Sequence, residues 1–221
     1  MSPSPDPAFR KDIIPFIDAT FSDGKVPSHA LNLPIGCNNW IELFPCSPEV
    51  HVSLWHNGSS LFISYNVKED FVRALAEKDN DKVCEDSCVE FFISFDDKGY
   101  YNLEANCVGK LLLSHRRGRK IDVEYAPEDI LSGIKRVSSL GLDKINERKQ
   151  DEPWNLTLSI PVSTFFKHSF PSFDGIEAKC NIYKCGDRLP APHYLSLHPI
   201  STSTPDFHRP EFFQSISFGS R

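Results

Sequence analysis

Residues 85–106 read EDSCVEFFISFDDKGYYNLEAN, a pattern that predicts two β-strands joined by an Asp-Asp-Lys-Gly turn. Because side chains alternate between the two faces of a strand, each predicted strand presents two distinct faces. The apolar face of the first strand, which we expect in the core, carries Val89, Phe91, Ile93 and Phe95. Its opposite face carries Cys88, Glu90, Phe92 and Ser94.

The second predicted strand has a polar face. That face carries Tyr100, Asn102, Glu104 and Asn106. Pairing the two strands as a hairpin places Glu90 beside this row, so carboxylates and amides share one sheet face. Such a surface suits a hydroxyl-rich ligand.

The composition favours an all-β protein. The chain has 221 residues, with 17 Pro, 11 Gly and 17 Phe against one Met, which is typical of short strands separated by turns. This length fits one large domain with a sizeable core. We therefore expect an N-terminal arm at 1–12 and a single antiparallel β-sandwich of about ten strands at 13–221, with at most two short helices.

Segments outside the central hairpin give less distinct predictions. The charged segment 68–84 is expected to be a long loop with a helical turn around Phe71 to Ala76. A short helix is expected at Pro127 to Leu131, and a solvated loop from Asp143 to Glu152.

The charge distribution argues against a nucleic-acid partner. The formal net charge is −6, and nucleic-acid binding depends largely on Lys and Arg. The basic segment from His115 to Lys120 is interpreted as a solvated hairpin end.

The N-terminal sequence MSPSPDPAFRKD lacks the apolar core of a signal peptide, and no apolar run is long enough to span a bilayer. As written, the sequence predicts a cytoplasmic protein. A periplasmic or surface location applies if a signal peptide has been removed, and a Cys84–Cys88 or Cys180–Cys185 disulfide then becomes an alternative to reduced thiols.

Six blocks in series resemble carbohydrate-binding module family 9, in the variant found as free-standing bacterial proteins of the DOMON-like β-sandwich superfamily. The blocks are LFISYNV, EDSCVEFF, YYNLEANCVGKLL, WNLTLSIP, AKCNIYKCGD, and HYLSLHPI followed by PDFHRPEFF. The resemblance implies a jelly-roll-like β-sandwich that binds a sugar or oligosaccharide on one face, without catalysis.

The resemblance also implies ligand contacts for several residues. It places Glu90 at a sugar-contacting acidic position, with Asn102, Glu104 and Asn106 offering polar contacts from the next strand. The tail Phe207, His208 and Arg209 occupies the loop that presents an aromatic ring, and Tyr183 or Lys184 is expected nearby. Where well-known members have two tryptophans, this chain has Val83 or Cys84 and Phe207–His208.

Two other functions stay open from sequence. A glycoside hydrolase could use Glu90 and Glu104 as its two carboxylates, since adjacent strands supply the required spacing. A protein-interaction sandwich that has lost its sugar site is the third class. No residue is assigned a catalytic role.

The chain contains candidate metal ligands without a metal-binding signature. His193, His198 and His208 match no zinc spacing. Family members can carry structural calcium, and the resemblance makes a calcium site possible at the acidic run. Its oxygen ligands would come from Asp79, Asp81, Glu85 and Asp86.

Overall fold

The computed structural model describes residues 12–19, 21 and 24–221. All but the last residue of the expected N-terminal arm, 1–12, lies outside the described residues. In the described part of the chain, no helix combines the length and the apolar character that a membrane span requires.

The described chain is built mainly from β-strands. They are β1 (Asp12–Ile14), β2 (Leu31–Pro34), β3 (Glu49–His56), β4 (Ser60–Lys68), β5 (Phe71–Ala74), β6 (Cys88–Asp96), β7 (Gly99–Asn106), β8 (Leu111–Arg116), β9 (Glu124–Tyr125), β10 (Lys135–Ser138), β11 (Ile145–Lys149), β12 (Trp154–Pro161), β13 (Glu177–Cys185), β14 (Tyr194–Ser196) and β15 (Gln214–Phe218). One short helix, α1 (Glu128–Gly133), lies between β9 and β10.

Two sheets form the sandwich. The larger sheet has the order β1-β15-β13-β6-β7-β8-β9, with β14 also paired to β13. The smaller has the order β10-β12-β4-β3-β2, and β5 pairs separately with β11. The pairs are antiparallel except β1 with β15, which confirms the predicted all-β sandwich.

The central hairpin has the predicted faces. Strands β6 and β7 pair with Glu90 directly opposite Glu104 and Phe91 opposite Leu103. The residues predicted to be apolar pack into the core between the two sheets, together with side chains from β3, β4 and β12. Burial of this apolar surface stabilises the sandwich and fixes the register, because a one-residue slip would turn the carboxylates into the core.

Two local predictions differ from the structure. The expected helical turn around Phe71 to Ala76 is instead strand β5, whose alternate residues are buried. The expected solvated loop from Asp143 to Glu152 contains strand β11, which pairs with β5. Both segments are short and charged, and their strand conformation depends on pairing with each other rather than on a local sequence pattern.

The outer face of the large sheet is partly covered by loops. A second apolar cluster lies there, formed by sheet residues such as Phe92 and Tyr183 and by Trp40, Val83 and Phe207 from the covering segments. The loops leave a cleft between them, and it is lined by Glu90 of β6 and Glu104 of β7.

Candidate functional site

The cleft opens over the carboxylates of the central hairpin and encloses about 470 Å³, part of it open to solvent. Its lining comes from β6, β7, the end of β13 and the tail before β15. The lining residues are Cys84, Glu90, Glu104, Arg119, Cys185, Asp187, Tyr194, Pro205, Asp206, Phe207 and His208.

Two buried carboxylates form part of this lining. Glu90 and Glu104 are directly paired across β6 and β7 and are 4% and 7% exposed. The Cys185 thiol donates to Glu90 Oε1 at 3.1 Å, and Asn102 Nδ2 donates to Glu104 Oε1 at 2.5 Å. Among the described residues, neither carboxylate has a Lys, Arg or His partner within ion-pair distance.

Burial dominates the electrostatics of the pair. It raises the pKa of Glu90 well above its ordinary value, and the adjacent Glu104 carboxylate raises it further. Burial also raises the pKa of Glu104; Arg116 opposes this rise and Asp187 adds to it. The site therefore favours partners that donate hydrogen bonds or carry positive charge.

Glu104 is held by a chain of hydrogen bonds that runs across the sheet. Arg116 Nε donates to Ser114 Oγ at 2.9 Å, and the Ser114 hydroxyl donates to Asn102 Oδ1. Asn102 in turn donates to Glu104. These hydrogen bonds correct the interpretation of the basic segment as a solvated hairpin end, because Arg116 is only 6% exposed and supports the site.

Phe207 forms an aromatic wall of the cleft. Its ring stacks on Tyr183 with the centroids 4.3 Å apart and the planes at 11°, and Trp40 packs against it at 6.0 Å. The Tyr183 hydroxyl donates to the Phe207 carbonyl at 3.2 Å. Tyr183 is fully buried and supports the wall from beneath.

His208 lines the cleft beside Phe207, as predicted for the tail. Its Nδ1 lies 2.9 Å from the Tyr100 hydroxyl, and its ring packs against Phe92. Burial lowers the pKa of His208 to about 3, with Arg116 and Arg119 adding to the effect. The imidazole is therefore neutral near pH 7.

The structure corrects the placement of Arg209. Its guanidinium does not line the cleft; Nε donates to Glu211 Oε1 at 2.7 Å and the group lies over the Phe212 ring. The backbone turns at Pro210, so successive tail side chains point in different directions. Arg209 pairs with a local acid instead of facing Glu90.

Asn106 is also placed differently from the expectation. Its Nδ2 donates to Asp86 at 2.9 Å, and its Oδ1 accepts from the Lys110 backbone. Asp86 accepts from the backbone N–H groups of Leu75 and Ala76. Asn106 therefore fastens the loop beside the cleft and does not line it.

Lys184 lies on the opposite face of the sheet from the cleft. Its Nζ is 2.8 Å from Glu69 Oε2 and donates to the Cys185 carbonyl and to His193 Nε2, each at 2.8 Å. Trp154 Nε1 donates to the other oxygen of Glu69 at 2.8 Å. Alternation along β13 sends Tyr183 outward and Lys184 inward, so only Tyr183 contributes to the site.

The buried network predicts a pH-dependent stability. His193 Nδ1 donates to the Ala191 carbonyl and Nε2 accepts from Lys184, which requires a neutral ring. Burial, with a smaller effect of the nearby Lys184 ammonium, lowers the pKa of His193 to about 2. The unfolded chain takes up a proton at His193 below about pH 6.5, whereas the folded chain does not, so stability is complete above that pH and falls below it.

Urea unfolding at about pH 7.5 and 5.5 tests this expectation, with His193→Gln as the variant that cannot titrate. The wild type should lose roughly 1.4 kcal/mol more unfolding free energy than His193→Gln over this interval. Equal losses in the two proteins would contradict a neutral buried His193.

The acidic residues considered for calcium have protein partners. Asp79 pairs with Arg136, and Asp81 accepts from the backbone N–H groups of Glu77 and Lys78. Asp86 holds the loop described above, and Glu85 pairs with Arg188. Calcium binding at these residues stays a prediction.

The predicted site missed several lining residues. Cys185 is the last residue of β13, Asp187 follows it, and Tyr194 is the first residue of β14; Asp206 and Arg119 come from the tail and the β8–β9 turn. Cys185 could have been found by alternation, since it shares a strand face with Tyr183. The others lie on loops or, for Tyr194, at the start of the three-residue strand β14, where the sequence carries no periodic signal.

All seven cysteines are free thiols in the structure. Cys180 faces the core and Cys185 faces the cleft, because they are five residues apart on one strand. A Cys180–Cys185 disulfide is therefore excluded by the geometry of β13.

Comparison with known proteins gives a family and a fold. The model of a family described as carbohydrate-binding family 9 matches residues 24–218. A Bacteroides uniformis protein assigned to carbohydrate binding is 38% identical, with a TM-score of 0.84; the match covers 95% of this chain and all of that one. No curated protein matches the chain.

Two more distant structures share the fold. Both are of a family 9 carbohydrate-binding module from Caldicellulosiruptor kristjanssonii, one in complex with cellotriose and one with glucose. Each is 11% identical to this chain, and each match covers 96% of it. The cellotriose complex has a TM-score of 0.62 with 95% of the module covered, and the glucose complex has a TM-score of 0.63 with 97% covered.

Proposed function

Because the chain belongs to carbohydrate-binding family 9, we propose that the cleft over Glu90 and Glu104 is the place where this carbohydrate-binding protein holds its sugar. The observation that carries the proposal is the pair of buried carboxylates without cationic partners, facing an aromatic wall. Carboxylate oxygens accept hydrogen bonds from sugar hydroxyls, and an aromatic face packs against the apolar face of a pyranose.

The proposed ligand is a sugar or short oligosaccharide, and glucose and cellotriose are the first probes because they occupy the related Caldicellulosiruptor module. In this arrangement Glu104 and Glu90 accept from hydroxyls, while Phe207 and Tyr194 supply apolar contact. The hydrogen-bond chain from Arg116 orients Glu104 before the sugar arrives, which reduces the entropy lost on binding.

The site does not favour a glycoside hydrolase. A retaining enzyme needs one protonated carboxyl group and one ionised nucleophile. Here burial raises the pKa of both carboxyl groups, so neither environment favours an ionised nucleophile. A glycan array combined with an assay for released sugars tests the function: binding without products supports it, and turnover or silence in both assays contradicts it.

Substitutions at Phe207 and Arg209 test which of these two tail residues contacts the sugar. Phe207→Leu removes the aromatic face but keeps an apolar side chain, and we expect binding to weaken about two- to tenfold, the range of about 0.5–1.5 kcal/mol given by aromatic contacts. Arg209→Ala is the matched control, because Arg209 pairs with Glu211 outside the cleft. The affinity of Arg209→Ala for the sugar should stay within about twofold of wild type, because the change removes only an exposed ion pair, which contributes little free energy.

Isothermal titration calorimetry with a sugar that binds the wild type measures both tail variants. A large loss in Arg209→Ala, or none in Phe207→Leu, would place the sugar elsewhere.

A further inference from the structure

One end of the cleft has a cluster of potential metal ligands, two thiols and a carboxylate. Cys88 and Cys185 are directly opposite each other on β6 and β13, and Glu90 lies two residues along β6 on the same face. Their potential ligand atoms, two sulfurs and one carboxylate oxygen, all lie within 4.8 Å of one another. In the described part of the chain, this is the one group of at least three His, Cys, Asp or Glu residues that comes this close.

The donor set matches a specific class of cation. Thiolate ligands select zinc and softer ions over calcium and magnesium, and a carboxylate commonly completes a zinc site. Glu90 and Cys185 also line the cleft, so a bound ion would have an open side toward solvent or ligand. Three protein ligands and an accessible fourth position are the arrangement that zinc adopts at non-structural sites.

We propose that Cys88, Cys185 and Glu90 bind one zinc-class divalent cation at this end of the cleft, with the fourth coordination position facing the cleft. The site requires no sugar, and the proposal is independent of which carbohydrate binds.

The surrounding charge supports a cation here. Glu104 and Asp187 lie close by, and the structure shows no Lys, Arg or His in contact with the Glu90 carboxylate among the described residues. A metal ion is bound by thiolates, so an ion that replaces the protons of the two thiols releases one proton from each sulfur to the solvent.

The two thiols could instead form a disulfide, since cross-strand cysteines at directly opposite positions have suitable spacing. That reaction would require an oxidant, which would accept two electrons, and both thiol protons would be released. A thiol titration of the denatured, metal-free protein distinguishes the states. Seven reactive thiols are required by the proposal, and five, with Cys88 and Cys185 linked, would overturn it.

The binding experiment uses the full chain without sugar and Co²⁺ as a spectroscopic probe for Zn²⁺. We expect a thiolate-to-cobalt charge-transfer band that saturates at one ion per chain, disappears on addition of Zn²⁺, and is accompanied by proton release. No band in the fully reduced protein would overturn the proposal.

Matched variants locate the ion. Cys88→Ser/Cys185→Ser should abolish the band, whereas Cys37→Ser should retain it, because Cys37 lies away from the cleft and donates to the Leu197 carbonyl. Glu90→Gln keeps both thiols and should weaken Co²⁺ binding at least tenfold, which keeps the test decisive if the double variant does not fold. A band that is unchanged in Glu90→Gln, or that persists in the double variant, would show that the ion binds elsewhere.

Discussion

Replacing Lys184 with methionine is expected to lower the free energy of unfolding by about 3–5 kcal/mol, the cost of leaving one buried charge without its partner. Lys184 is fully buried, and its ammonium is 2.8 Å from Glu69 Oε2. Methionine fills a similar volume but leaves the Glu69 carboxylate without its cation, and the Cys185 carbonyl and His193 Nε2 without their common donor. For a chain of this size the melting temperature should fall by roughly 10 °C.

The double variant Lys184→Met/Glu69→Gln is the control. Glutamine removes the unpaired charge and keeps an oxygen acceptor for Trp154 Nε1, so at least half of the lost stability should return. Calorimetry and urea unfolding measure both variants. A loss below about 1 kcal/mol in the single variant would show that the ion pair is not buried in solution.

The second large effect concerns ligand affinity. Glu104→Gln is expected to weaken sugar binding by more than tenfold, because a hydrogen bond to a charged acceptor contributes about 1.5–3 kcal/mol. The fold should persist, since glutamine retains the shape of the Glu104 side chain and an oxygen that can accept from Asn102 Nδ2. Titration calorimetry with the same sugar measures the affinity, and thermal unfolding checks the fold.

Asp97→Asn provides the matched control for Glu104→Gln, because it makes the same chemical change on the exposed turn of the same hairpin. Its affinity should equal that of the wild type. If both variants bind the sugar equally well, Glu104 is not a ligand contact, and the polar row has only a structural role.

The fold could be predicted from sequence because a strand with one buried face shows alternating apolar and polar residues. In the central hairpin every second residue is apolar. Burying that face against the second sheet has a lower free energy than any register that exposes it to water. The same alternation placed Glu90 and Glu104 on one outer face, and the register confirms that they are directly opposite. Strand β5 was missed because its conformation depends on pairing with a distant partner.

The candidate site could be predicted only in part, for reasons that differ among the residues. The prediction of Lys184 as a ligand contact conflicts with alternation along β13, which places Lys184 in the interior on the same face as Ile182. Arg116 could have been found in the same way, since it shares a face of β8 with Ser114. Arg209 and Asn106 depend on tail and loop geometry, and their partners Glu211 and Asp86 are fixed by folding rather than by any sequence period.

The central claim is that carbohydrate binds in the cleft over the two carboxylates, and mapping by NMR tests it most directly. Amide chemical shifts of the isotope-labelled chain would be followed during titration with glucose, with cellotriose, and with any sugar selected on a glycan array. We predict saturable shifts concentrated at Glu90, Glu104 and Phe207, with little change around Asp97. Saturable shifts confined to another surface, or no saturable binding of any sugar tested, would contradict the account.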